Sequence, residues 1–529
     1  MNIRIVLAAI ATLSLSSRIA ESQHTHAGHG TVGAVTFANS CAPAVQDDLM
    51  RGVAMLHSFW YGEGETTFRA VLARDPSCAI ANWGIASLLM SNPLAGAGST
   101  SQDAVKAQAA IAQGRSIGAK TQRERDYIDA VATYYQDFGT RPETARQASR
   151  ATAYEALAAR YPEDDEAQIF SALYIAGTQS QSDQSFAAYR RAAAILTTQF
   201  AKYPEHPGIA HYLIHSYDAP PLAAQGLAAA RLYAGLAPDA PHALHMPSHI
   251  FTRVGAWEDS VDTNARSFKV AVAGKEFGEA YHATDYMVYA DLQLARDGAA
   301  LAAMEAAFAI AGRPAAPPLV YATAAMPARY AVERGDWRAA MQLAEAKGGT
   351  PFTEAITWFA RSLGAARSGD VAAAEQNAAE LAPRHQKLVD AGNTYWANEI
   401  KIQQRAAEAW IAFARKDIDT AVKLMREAAD LEDRNEKHIV TPGRVLPARE
   451  LLGDMLLEAG QPAHALAEYE ASQLREPNRF RGYYGAARAA DAAGDQAKAK
   501  AYYGRLLDLA KSADTARPEL AAARAYVAR

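Results

Sequence analysis

The sequence predicts an all-α fold, an α-solenoid in which antiparallel helix pairs stack into a superhelix. Alanine, which has the best helix propensity, is abundant among the 529 residues, whereas runs of β-branched residues are scarce. From Asp47 onward, apolar stripes at helical spacing alternate with short turns. Turn residues and small residues also recur at a fixed period near the C-terminus. Such a period is typical of a helical repeat array, in which each unit packs only on its neighbours.

The repeat period is 34 residues. Gly460 and Gly494 are separated by this spacing, and so are Ala465 and Ala499. The glycine permits the positive φ of a turn between two helices, and the alanine lets the second helix approach the first closely. Further pairs at the same spacing are Tyr469 with Tyr503, Gly335 with Gly369, and Ala340 with Ala374.

This spacing resembles that of the tetratricopeptide (TPR) repeat, strongly over residues 448–510 and moderately over most of 47–430. The resemblance implies a superhelix of antiparallel helix pairs with a concave, ligand-facing groove. Breaks in the period predict five parts: a signal peptide (1–22), a flexible segment containing His24, His26 and His29 (23–46), an N-terminal TPR-like array with a His-rich groove (47–312), middle TPR-like repeats (313–434), and a C-terminal TPR pair with a terminal helix (435–529).

The first 22 residues have the pattern of a secretory signal peptide. Arg4 gives a positive start, residues 5–15 are largely apolar, and residues 20–22 fit a small-x-small cleavage site. We therefore expect a periplasmic or secreted protein, with an uncleaved N-terminal anchor as the alternative. No later stretch reaches eighteen apolar residues, so stable membrane insertion is not expected.

The two cysteines, Cys41 and Cys78, form an even number in a chain predicted to be exported. This favours a disulfide bond, with two buried free thiols as the alternative. A bridge that encloses a loop of this length stabilises the fold by roughly 3–4 kcal/mol in the chain-entropy model.

The middle of the chain concentrates histidines. His242, His245 and His249 follow each other at i, i+3 and i+7, which puts them on one stripe of a helix. If Gly255 is the turn glycine of this repeat, the TPR resemblance places the stripe on the concave groove. Pro247 lies inside the helix and is expected to kink or restart it, which would either gather the three rings or separate them.

The neighbouring repeats carry matching residues. His211 and His215 form an i, i+4 pair followed by Asp218, and His282 precedes Asp285 by three positions. Such His pairs hold zinc, copper or iron in many proteins, with a carboxylate as ligand or as support for a ring N–H. The pattern predicts a transition-metal site on adjacent helices. The alternatives are a polar groove that binds a peptide or small anion, and histidines that only pack between repeats.

Five segments strengthen the resemblance to one group of TPR proteins. They are LHSFWY (56–61), DPSCAIANWG (75–84), HYLIHSYD (211–218), HALHMPSHIF (242–251) and PARELLGD (447–454). With these segments the chain resembles exported bacterial TPR proteins that carry a HALHMPSHIF-type His signature. The resemblance covers nearly the whole mature chain and implies fold, export and a special His region, without an assigned reaction.

Two functions are compatible with this pattern. The first is an exported TPR scaffold whose groove binds a protein, a peptide or a small ligand, with the histidines at a metal site. The second is a metal-dependent enzyme or metal-handling protein that uses the same His/Asp cluster. The chain has no Gly-x-Ser-x-Gly, phosphate-loop or dinucleotide motif. Its net charge of −5 and lack of a basic run give no reason to expect nucleic acid.

Overall fold

The computed structural model describes residues 31–96, 98–310, 317–344 and 349–529. In these ranges every regular element is a helix, and consecutive helices pack as antiparallel pairs, which confirms the predicted α-solenoid. None of the described helices is long and apolar enough to cross a membrane. The predicted signal peptide and the histidines at 24, 26 and 29 lie outside the described residues.

Two short 3-10 helices, Pro43–Val45 and Ala223–Gly226, accompany the α-helices. The first half of the chain contains α1 Gln46–His57, α2 Tyr61–Arg74, α3 Ala81–Leu88, α4 Ser101–Ile117, α5 Gln122–Tyr135, α6 Glu143–Arg160, α7 Asp165–Ala176, α8 Ala187–Lys202, α9 Pro207–Tyr217, α10 Leu227–Leu236, α11 Pro241–His245, α12 Pro247–Val254, α13 Trp257–Ala273 and α14 Phe277–Gln293. The second half contains α15 Asp297–Phe308, α16 Pro317–Glu333, α17 Trp337–Met341, α18 Pro351–Arg367, α19 Val371–Ala379, α20 Leu381–Asp390, α21 Thr394–Ala414, α22 Ile418–Asp433, α23 Ala448–Glu458, α24 Pro462–Arg475, α25 Phe480–Ala492, α26 Gln496–Leu509 and α27 Pro518–Val527.

The 34-residue period corresponds to real helix pairs. Gly460 ends the turn between α23 and α24 at φ +75°, and Gly494 does the same between α25 and α26 at φ +81°. Ala465 and Ala499 are fully buried in the second helix of each pair. The turn glycines thus reverse the chain, and the alanines let the helices touch.

The C-terminal repeats meet at one aromatic ring. Tyr469 on α24 lies against Gly453 of α23 and Gly485 of α25. A Cβ atom at Gly485 would lie 2.2 Å from the Tyr469 ring, and one at Gly453 would lie 2.8 Å from it. Both distances are shorter than any van der Waals contact, so the two glycines set how closely these helices approach.

We expect Gly485→Ala to lower the free energy of unfolding by about 1–3 kcal/mol, because the added methyl group must displace the Tyr469 ring. Urea denaturation measures the change. Gly504→Ala is the matched control, since Gly504 lies inside α26 with no atom near its missing side chain. That substitution should instead stabilise the protein by about 0.5–1 kcal/mol. Equal effects of the two substitutions would contradict the packing argument.

The N-terminal segment packs on the body of the protein from residue 31. Cys41 and Cys78 form the predicted disulfide bond, which ties this segment to the loop before α3. Phe37 is buried and stacks on Trp83, with ring centroids 4.9 Å apart. The described part of the segment predicted as flexible (23–46) is therefore held by a covalent bond and by aromatic packing.

Residues 435–444, which we call the covering segment, run between α22 and α23 and contact the N-terminal half of the protein. The Glu436 N–H donates to the carbonyl of Gln181 at 2.8 Å. The Tyr286 hydroxyl donates to the carbonyl of Thr441 at 3.1 Å. The sequence predicts an open groove beside the histidines. In the structure, the covering segment lies in this part of the groove.

Candidate metal centre

Four helices carry the six histidines of the predicted site. α9 carries His211 and His215, and α11 carries His242 and His245; the other two helices, α12 and α14, carry His249 and His282 respectively. α9 packs against α12, and α11 packs against α14. The solenoid therefore brings together side chains from three consecutive helix pairs, as the repeat pattern predicts.

Pro247 divides the stripe of three histidines. It has no N–H, so it leaves the carbonyl of Ala243 without a helical hydrogen bond, and α12 begins at the proline. Met246 keeps helical dihedrals, φ −52° and ψ −39°, so α12 follows α11 after a single residue. The rings do not divide at this break: His242 lies in one cluster and His245 in another, although both are on α11, and His249 of α12 joins His245.

The first cluster, which we call the first triad, consists of His211, His215 and His242. All three rings are buried, and their ligating nitrogens lie within 4.8 Å of one another. The Nε2 atoms of His211 and His215 are 3.1 Å apart. His242 Nε2 is buried and has no hydrogen-bond partner.

The second triad consists of His245, His249 and His282, again with ligating nitrogens within 4.8 Å of one another. The Nε2 atoms of His245 and His249 are 3.0 Å apart. All six predicted histidines therefore converge, but as two groups of three.

Four of the rings are held through Nδ1 by an oxygen that accepts a hydrogen bond. The pairs are His211 with the carbonyl of His57 (2.6 Å), His242 with Glu279 (3.2 Å), His245 with Asn264 Oδ1 (2.7 Å), and His249 with Asp218 (2.8 Å). Carbonyl and carboxylate oxygens only accept, so the proton of each neutral ring lies on Nδ1 and the lone pair on Nε2. This arrangement is typical of metal-bound histidines, whose other nitrogen is held by an acceptor.

The pair His245 and His249 shows the consequence of having the ring proton on Nδ1. Both Nδ1–H groups are used, so the two Nε2 lone pairs face each other at 3.0 Å without a proton between them. Two nitrogens that bind one ion at about 2.0–2.1 Å lie about 2.9–3.4 Å apart for bond angles between about 90° and 109°. The spacing of the pair therefore matches that of two ligands on one cation.

Burial favours the neutral form of five of the six rings. Removal from water lowers the pKa of His211, His215 and His245 well below the usual value, and neighbouring imidazoles lower it further. Burial also lowers the pKa of His249, and it lowers that of His282 to about 3. Neutral imidazole is the form that binds a metal.

The two aspartates proposed as ligands or supports lie outside both triads. Asp218 accepts from His249 Nδ1, from Arg253 Nε at 2.7 Å and from Lys437 Nζ at 3.3 Å. Its carboxylate thus orients a ring and does not join the nitrogens. Asp285 lies 3.2 Å from Arg329 of α16, and burial raises its pKa to about 6.

Three residues around the centre, Phe59, Glu279 and Asn264, were missed at the level of sequence. Phe59 packs on His211 at 4.4 Å between ring centroids, and Tyr286 packs on His245 at 4.7 Å. Phe59 therefore lies beside the first triad, and Tyr286 lies beside the second. Glu279 could have been found, because it precedes His282 by three positions on α14. Asn264 lies in the middle of α13, and no sequence pattern marks it.

Among the described residues, two other groups bring ligand-type side chains together. The Nε2 atoms of His57 and His206 lie 2.9 and 3.0 Å from opposite oxygens of Glu166. The carboxylate therefore binds both rings directly. The second group is Cys41, Asp75 and Cys78, whose sulfur atoms form the disulfide.

No family model and no curated protein sequence matches the chain. A tetratricopeptide repeat protein from Parabacteroides merdae ATCC 43184 is similar at 14% identity and a TM-score of 0.30, over 55% of this chain and 99% of that one. A structure of the APC/C hetero-tetramer Cut9-Hcn1 is similar at 11% identity and a TM-score of 0.30, over 91% and 96%. Human IFIT1, in a dimer with PPP-AAAA, is similar at 11% identity and a TM-score of 0.36, over 77% and 87%. These similarities are too distant to indicate a ligand or an activity.

Proposed function

We propose that this protein is a metal-binding α-solenoid in which each triad holds one first-row transition-metal ion through imidazole nitrogens. The observation that carries the proposal is the His245–His249 pair. Both rings are buried, both Nδ1–H groups are used, and two lone pairs face each other at 3.0 Å. The two lone pairs repel each other, and a cation between them would replace this repulsion with two metal–nitrogen bonds.

The donor set narrows the choice of metal. Neither triad includes a carboxylate or a thiolate. Imidazole suits copper, zinc and iron, and among divalent ions copper binds such sites most tightly. Three protein ligands also leave at least one coordination position open, which is the usual arrangement of catalytic metal sites and not of structural ones. A metal-dependent activity is therefore favoured over a purely structural metal.

Binding of a protein, peptide or small ligand by the array remains a second proposal. The feature that favours it is a cavity of about 860 Å³ beside α6, α7 and α8, helices that carry no histidine of the two triads. Its lining includes Tyr161, Tyr203, Arg123 and Lys202, which offer aromatic and charged contacts to a ligand. Export to the periplasm or the medium also remains a prediction.

Elemental analysis of protein purified without a His-tag tests the metal proposal. We expect about two ions per chain after addition of Cu²⁺, Zn²⁺ or Fe²⁺, one for each triad. His245→Ala should reduce this to about one ion and leave the helical circular dichroism unchanged.

His464→Ala is the control, because His464 is exposed on α24 and lies outside both triads. It should keep the full metal content. If the unmodified protein stays free of metal with all three ions, the proposal fails. If His245→Ala loses helicity, the ring has a packing role instead.

A further inference from the structure

We infer that the two triads form a single dinuclear centre, whose two ions share a small bridging anion such as hydroxide. This inference rests on the proposed metal binding and goes further, because two separate mononuclear sites would satisfy that proposal equally well. Four observations carry it: the spacing of the rings, the open coordination positions, the walls of the centre and the balance of charge.

Some rings of different triads are separated by distances that also occur within a triad. The centroids of His215 and His249 are 5.6 Å apart, and those of His242 and His245 are 6.1 Å apart. Within the triads, the centroids are 4.2–6.5 Å apart. The six imidazoles therefore form one continuous cluster. Two ions placed in it are neighbours, as in two-metal enzyme sites, where they lie about 3.5–4 Å apart.

Three nitrogens do not complete the coordination of a transition metal. The two aromatic walls of the centre offer no further ligand. Phe59 lies against His211, His215 and His242 and has no donor atom. The Tyr286 hydroxyl is turned toward the covering segment, where it donates to backbone carbonyls. The remaining positions are thus left to a ligand from solution.

The charge balance favours an anion there. Two divalent ions bring four positive charges into a buried region whose six ligands are neutral imidazoles. The carboxylates bound to these rings are Asp218 and Glu279. Asp218 is already shared with Arg253 and Lys437, so it offsets little of the added charge. A buried charge without a partner is costly, and an anion between the ions lowers this cost.

Electron paramagnetic resonance of the Cu²⁺-loaded protein tests the inference. Two Cu²⁺ ions joined by a bridging anion couple their spins, so we expect less than about half of the bound copper to give a signal at two ions per chain. Azide, a small bridging probe, should bind and shift the charge-transfer absorption of the loaded protein.

Two variants provide a matched comparison. His242→Ala removes a ring from the first triad, and His282→Ala removes one from the second. Both rings lie near the edge of the centre, at 8% and 7% exposure, so each change should leave the fold intact. Each variant should bind about one copper per chain, and all of that copper should give a signal, because a single ion has no partner spin.

The outcomes separate the inference from the proposal on which it rests. A protein that binds no copper overturns both. A protein that binds two copper ions, with every ion giving an independent signal in the presence and absence of azide, keeps the metal proposal and overturns the dinuclear centre. Reduced signal in the unmodified protein, restored in both variants, supports the dinuclear centre. If a variant unfolds by circular dichroism, the fraction of bound copper that gives a signal in the unmodified protein still decides.

Discussion

Asp218→Ala should lower the free energy of unfolding by about 3–5 kcal/mol, because it leaves two buried cations without their shared carboxylate. Burial raises the pKa of Asp218, but Lys437 and Arg253 more than offset this and hold it well below its usual value. The residue is therefore a charged acceptor for three groups, the third being His249. Removing it should also weaken metal binding at the second triad by about 10–100-fold.

Guanidinium denaturation and a copper titration measure the two effects. Asp129→Ala is the control, because Asp129 forms an exposed pair with Arg115 at 2.7 Å. Its stability should change by less than about 1 kcal/mol, and its copper affinity should not change. Asp218→Asn keeps the shape of the side chain but not its charge. Its stability and its copper affinity should therefore lie between those of Asp218→Ala and Asp129→Ala. If Asp218→Ala matched Asp129→Ala in both measurements, the contacts of Asp218 with His249, Arg253 and Lys437 would contribute neither to stability nor to metal binding.

Removing metal should have the second large effect. An ion that binds only the folded state stabilises it by about 4 kcal/mol when its free concentration is about 1,000 times the dissociation constant. Two occupied triads therefore predict a loss of up to about 8 kcal/mol on chelation, relative to saturating metal. Thermal unfolding with metal and with a chelator measures the difference.

The double variant His215→Ala with His245→Ala removes one ring from each triad and supplies the control for this experiment. Its stability should be nearly the same with metal and with chelator, because neither group keeps three imidazoles. A stabilisation by metal that survives in the double variant would place the bound ions elsewhere in the protein.

The fold was predictable because its signals are local. The turn glycines Gly460 and Gly494 have positive φ, as their spacing indicates, and the i, i+4 pair His211 and His215 needs only one helix to bring the rings together. The disulfide was predictable for another reason, because the sequence contains only two cysteines and therefore allows one pairing.

The division into two triads was not predictable in this way. It depends on how neighbouring helices pack, because α9 brings His211 and His215 to His242, whereas α12 and α14 bring His249 and His282 to His245. The partner of Asp285 is Arg329, on a helix 44 residues further along the chain. Spacing within one helix carries no information about such contacts. Asp285 was therefore predicted as part of the site, whereas the packing of α16 pairs it with Arg329.

The covering segment sets an order of events when the protein is made. All six histidines precede it, and its first residue, Asn435, comes 153 positions after His282. At about 5–20 residues per second, the histidine helices are synthesised roughly 8–30 seconds before the segment that closes over them. A chain that folds in this order would present its histidines to an ion before the covering segment is in place.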